Sequence, residues 1–206
     1  MNSPYNGLSN NQWKSKTEEL VRLHPLAMEE LIAVVLEAWE GIMQTKIAGK
    51  LAIGVDIFPQ PQIIGNYLHE LIPIILEQKY SGQWSRDVHK DDKDLVYIPD
   101  CRFSVEIKTS SNPNNVYGNA SYGKEDSSSV SSKSRDGYYL TINFEKFQLG
   151  NPSYRPEIRK IRFGWIDHSD WHSQAASSGQ QAYISPEVRD NKLLLIYDKN
   201  KGGKLI

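Results

Sequence analysis

Three residue types that together can do hydrolytic chemistry lie close in the chain. Asp100 follows Pro99, and Glu106-Ile107-Lys108 comes a few residues later. From Arg102 to Thr109 apolar and polar residues alternate. Phe103, Val105 and Ile107 point one way, and Ser104, Glu106 and Lys108 the other, as on a half-buried strand. Asp100 ends the short apolar run Leu95 to Pro99. Pairing the two runs as a tight hairpin is expected to bring Asp100 beside Glu106. Two ionised carboxylates at such a distance repel unless a cation sits between them. Mg²⁺ suits that place, because it takes hard oxygen ligands and keeps several waters. Asp100, Glu106 and the Ile107 carbonyl are the expected ligands. Lys108, a compact charge with three donors, could hold an attacking water and steady a phosphate. The bland alternative is a cross-strand salt bridge.

The elements that must position this set can be read from periodicity. His24-Pro25 suits a helix start, and Met28, Leu31, Ile32, Val35, Trp39, Ile42 and Met43 recur at helical spacing. A second helix is expected from Pro61 to about Tyr80, kinked at Pro73. Ile63, Tyr67, Glu70 and Ile74 share one side of it. A carboxylate among apolar neighbours needs a partner, so Glu70 is a candidate third acid and fourth catalytic residue. Further strands are expected at Gly137 to Phe144, Lys160 to Ile166 and Lys192 to Tyr197. The fold class is α/β (α+β), with a mixed central sheet flanked by helices. Residues 1–206 read as a single domain, with a loose N-terminal arm at 1–12.

A Ser-, Asn-, Gly- and Tyr-rich segment, 110–136, separates two of the strands. Loops this long inside a domain are functional or disordered. Asn112, Asn114, Asn115, Tyr117, Asn119, Ser121 and Tyr122 directly follow the Glu-x-Lys strand. They are candidate contacts to DNA, since amides pair with adenine edges and hydroxyls with phosphates. Lys133 could track a phosphate. A second candidate stretch holds His168, Gln174 and Gln180. Its two acids and two histidines also resemble a metal cluster, but the ordered thiolate or imidazole spacing of closed zinc sites is missing.

Composition sets the limits. The 206 residues carry 24 basic and 25 acidic side chains, a net charge of −1, which argues against a protein that coats nucleic acid by charge alone. No apolar run reaches the roughly 18–20 residues that span a bilayer, so no membrane is expected. The polar start of the chain lacks a signal-peptide core, and the lone Cys101 has no internal partner. Both lead to the expectation of a cytoplasmic protein.

Asp100 with Glu106-Ile107-Lys108 resembles the signature of the PD-(D/E)xK nucleases, and Glu70 matches the extra acid that a preceding helix often supplies there. The order of four stretches, Ile64–Pro73, Pro99–Asn119, Gly137–Phe147 and Arg162–Ala182, resembles the type II restriction endonucleases of the ScaI type. The resemblance implies a homodimer that needs Mg²⁺ and cuts both strands of double-stranded DNA at a short palindrome, leaving 5′-phosphate and 3′-hydroxyl ends. The same acids and lysine would equally serve a repair-type nicking or junction-resolving nuclease. A catalytically silent DNA-binding module on the same fold is the third reading.

Overall fold

The computed structural model describes residues 3–123, 134–173 and 181–202. Four α-helices carry most of the apolar cover: α1 (Asn10–Arg22), α2 (Met28–Gln44), α3 (Pro61–Lys79) and α4 (Pro186–Lys192). The stretch expected to be a loose arm is instead docked. Tyr5 is only 4% exposed, and its hydroxyl meets Thr17 Oγ1 of α1 at 2.7 Å. Gln12 reaches back to the Ser9 backbone N–H at 3.0 Å, fixing the helix start. In α2, Leu31, Val34, Val35, Ala38 and Ile42 are all buried, and Glu29 and Glu30 in its first turn complement the helix dipole.

Pro61 opens α3 at a position where its missing N–H costs nothing. The helix runs through Pro73 to Lys79 as one element. Its buried side is Ile64, Gly65, Leu68, Ile72 and Leu76, while Ile63 and Tyr67 are exposed. The face expected from the sequence is therefore turned away from the core. α3 also lies hard against the sheet: a Cβ on Gly65 would sit 2.6 Å from Thr109 Oγ1. A residue without a side chain is what permits this approach.

A short hairpin, β1 (Lys46–Ile47) with β2 (Leu51–Ala52), separates α2 from α3. The main sheet comprises β3 (Trp84–Arg86), β4 (Leu95–Tyr97), β5 (Val105–Ser110), β7 (Gly137–Phe144), β8 (Ile158–Ile166) and β11 (Leu193–Asp198). Its order is β11-β8-β7-β5-β4-β3. Only β5 and β7 run parallel. A parallel pair needs a long crossover, and the 110–136 segment is that crossover. Every residue of β7 is buried, as expected for a strand covered on both faces. On one side Tyr138, Leu140, Ile142 and Phe144 pack in the main core with α2 and α3. On the other, Tyr139 joins a second core with Tyr122, Ile166, Trp171, Ala182, Ile184, Val188 and Leu193.

That second core is roofed by a three-stranded sheet in which a strand from before β7 joins two from after β8. It consists of β6 (Tyr117–Asn119), β10 (Gln181–Ile184) and β9 (Trp171–Ser173), in the order β6-β10-β9. Among the described residues no helix is long and apolar enough to cross a membrane.

Candidate active site

β4 and β5 pair antiparallel with Leu95 opposite Val105. Extending that register by one residue sets Asp94 opposite Glu106. β4 stops there, so the next N–H on β5 lacks a strand partner. The Asp94 side chain takes its place: Oδ2 accepts from the Ile107 N–H at 2.7 Å. His69 Nδ1, from α3, lies 3.5 Å from the same oxygen. Glu106 is 3% exposed. Its Oε1 accepts from Lys108 Nζ at 2.7 Å and from the Tyr122 hydroxyl at 2.6 Å. Lys108 Nζ also sits 4.7 Å above the Tyr122 ring, a cation–π contact that fixes its stem. Burial, reinforced by the Glu106 carboxylate, pushes the Tyr122 phenol well above its ordinary pKa, so it stays a donor.

These groups form the floor of an open cleft of about 730 Å³. Gln62, Asn66 and His69 of α3 make one wall, and Tyr117, Asn119, Ser121 and Gln181 the other, with Arg135 at the rim. Arg135 Nη1 donates to His168 Nε2 at 2.7 Å, and the His168 N–H donates to Asp136 at 2.7 Å.

Asp100 is not part of this floor. It caps the single 3-10 turn Cys101–Phe103, accepting from Arg102 N at 3.1 Å. The Arg102 guanidinium grips it from the side, at 2.9 and 2.6 Å, and holds its carboxyl below the usual range. The physical reason is chain length. So few residues lie between Asp100 and Glu106 that Asp100 falls inside the hairpin turn, at the end away from Glu106. Glu70 is exposed and off the cleft, because helical rotation turns His69 inward in its place. Asp94 and His69 are thus the residues that motif reading missed. The signal for Asp94 was its place in the hairpin register, with no dipeptide to mark it.

Asn112, Asn114 and Asn115 serve the turn they occupy. Asn112 Oδ1 accepts the N–H groups of Asn114 and Asn115 at 3.0 and 2.9 Å. Asn114 Oδ1 accepts from Arg162 at 2.5 Å and Lys160 at 3.0 Å. Asn115 donates to the Tyr117 hydroxyl at 3.1 Å. Buried Asn143 clamps the Asn112 and Asn115 carbonyls at 2.9 and 3.0 Å. Tyr117, Asn119, Ser121 and Tyr122 do line the cleft. Lys133, Gln174 and Gln180 lie outside the described residues.

Among the described residues, no group of three or more His, Cys, Asp and Glu side chains is arranged to hold a metal. The cleft floor offers two carboxylates, from Asp94 and Glu106. Beside them the Ile107 carbonyl faces the same strand edge as the N–H given to Asp94. This all-oxygen set fits a small hard cation that keeps several waters, and does not fit zinc.

Comparison with known proteins identifies the family. The model of the ScaI restriction endonuclease family matches residues 3–197. The type II restriction enzyme ScaI of Streptomyces caespitosus is 40% identical over 195 residues, which cover 95% of this chain and 85% of that enzyme. With a match of that extent over a mixed sheet carrying two acids and a lysine at a cleft floor, the chain belongs to the ScaI restriction endonuclease family and is a site-specific deoxyribonuclease.

Proposed function

We propose that the protein is a Mg²⁺-dependent type II endonuclease that acts as a homodimer on a short palindrome in double-stranded DNA. Asp94, Glu106 and Lys108 are its catalytic set. The observation that carries this reading is the 2.7 Å bond from the Ile107 N–H to Asp94 Oδ2. It locks one carboxylate beside a second, with Lys108 Nζ 2.7 Å from that second one. Type II restriction endonucleases generally use divalent metal ions, and the oxygen donors here suit Mg²⁺.

Asp94, Glu106 and the Ile107 carbonyl would hold the cation. When bound, it lowers the pKa of a water and polarises the scissile phosphate. The rest belongs to the chain's own groups. Lys108 orients the attacking water and neutralises charge that builds on the phosphate oxygens. Tyr122 and Lys108 both bond Glu106 Oε1 and so keep that carboxylate in one rotamer. Arg135 at the cleft rim is placed to meet a flanking phosphate. The water oxygen joins phosphorus, the bond to the 3′ oxygen breaks, and a proton passes to that oxygen. The products are a 5′-phosphate and a 3′-hydroxyl.

A palindrome calls for a two-fold protein. The apolar stripe of α2 is spent in the core, which leaves the sheet edge at β11 as the candidate contact.

The test is a parallel digest of phage DNA with Mg²⁺ by the wild type, Asp94→Ala and Asp100→Ala. Discrete double-strand fragments are expected from the wild type and Asp100→Ala, with none from Asp94→Ala. Activity lost in Asp100→Ala and kept in Asp94→Ala would overturn the assignment. Nicked circles in place of fragments would favour a repair-type enzyme.

A further inference from the structure

The three-stranded sheet has one face in the second core and one face open. Along β10 exposure alternates: Gln181 and Tyr183 are exposed, while Ala182 and Ile184 are buried. In the register, Gln181 stands directly opposite Asn119, and Tyr183 stands between Tyr117 and His172. The open face therefore presents two amides in one row and two phenols and an imidazole in the next. None of these five is Lys, Arg, Asp or Glu. Tyr117, Asn119 and Gln181 line the same cleft as Glu106 and Lys108.

We infer that this face reads base edges in the major groove, with Asn119 and Gln181 each gripping an adenine. The inference rests on the endonuclease reading above and names the specificity element of that same site. Three observations carry it. A narrow antiparallel ribbon is one of the two element types that enter the major groove. Directly opposed residues on such a ribbon have Cβ atoms roughly 4.5–5.5 Å apart, close enough to address neighbouring base pairs, which rise by about 3.4 Å. Finally, an amide offers one donor and one acceptor, the pair that adenine N7 and N6 require. Among the described residues, phosphate-seeking cations are absent from the face itself and stand at its margins instead. Arg135 is on the cleft rim, and Lys146 and Arg159 line the adjoining cavity of about 590 Å³, which Tyr117 and Gln181 share.

The test digests phage DNA with the wild type, Asn119→Ala and Gln181→Ala, and sequences the ends produced. The wild type is expected to give one symmetric consensus. Each variant should lose preference at one A·T pair in each half-site, and cut the wild-type site roughly 5- to 150-fold more slowly. N6-methylation of that adenine should slow the wild type and leave the matching variant unaffected. Melting temperatures should not change, since both side chains are exposed. Variants that keep the full consensus, whether at normal rate or uniformly slowed, would overturn the inference and leave the endonuclease reading standing. A wild type that yields no discrete ends would sink both together.

Discussion

Tyr122→Phe removes one oxygen from the floor of the cleft and separates two roles for this residue. From sequence Tyr122 was a candidate DNA contact. In the structure it is 8% exposed, and its hydroxyl is spent on Glu106 Oε1 at 2.6 Å. A hydrogen bond to a charged acceptor contributes about 1.5–3 kcal/mol to stability, so urea unfolding should show a loss in that range. Phe keeps the ring under Lys108 Nζ, and Lys108 keeps its bond to Glu106. What goes is the second of two donors that hold the carboxylate in one rotamer. Removing an outer-shell donor of this kind typically costs 10–100-fold in metal affinity. The assay is initial cleavage rate against Mg²⁺ concentration. The half-saturating Mg²⁺ should rise by about 10–100-fold, with most of the rate recovered at saturation and the cleavage consensus unchanged. An unchanged Mg²⁺ dependence with an altered consensus would refute the positioning role and return Tyr122 to the DNA-reading set.

Three further outcomes follow from the geometry. Lys108→Ala should lower cleavage by at least about 10²–10³-fold while gel-shift binding to the same DNA persists; full activity would remove Lys108 from the mechanism. Lys192→Met should cost about 3–5 kcal/mol in urea unfolding, because the buried Lys192 Nζ bonds both Asp167 and Asp170 at 2.8 Å. Burial already raises the Asp170 pKa, so the deficit should narrow as pH falls and Asp170 takes up a proton. Burial also pushes His24 down to about 4, held by Phe103 O at 3.0 Å and the Leu26 N–H at 3.2 Å. The unfolded imidazole protonates near 6.5, so this contribution is whole above pH 6.5 and is lost as pH falls towards 4, by roughly 3 kcal/mol. In His24→Gln the slope of unfolding free energy across that window should flatten; an unchanged slope would remove His24 as its source.

What was legible in the sequence was whatever repeats at a fixed period. α2, α3, β5, β7, β8 and β11 all came from apolar spacing, and the shared face of Glu106 and Lys108 from simple alternation. α1 was not legible, because only Thr17 and Val21 of it are buried, too few to make a stripe. β6, β9 and β10 have three, three and four residues. They are too short to show a period, and β6 joins β10 only through a pairing between segments some sixty residues apart, Asn119 opposite Gln181, which no local pattern reports. α3 carries apolar residues on its exposed side as well, Ile63 and Tyr67, so its inner face was ambiguous. A rotation of one residue exchanged Glu70 for His69.

The acid opposite Glu106 shows most clearly what spacing can decide. A Pro-Asp pair ahead of Glu-x-Lys is a pattern in the chain, whereas convergence of two carboxylates is a property of strand register. In a hairpin, the partner of Glu106 lies about as far before the turn as Glu106 lies after it. Asp100 sits within the turn and cannot be that partner. Asp94 can be, and its bond to the Ile107 N–H continues the ladder that β4 leaves unfinished. One carboxylate therefore satisfies a backbone donor that would otherwise lack a strand partner and, in the same position, stands beside Glu106. Moving that acid by a single residue would turn it to the other face of the strand and lose both roles together.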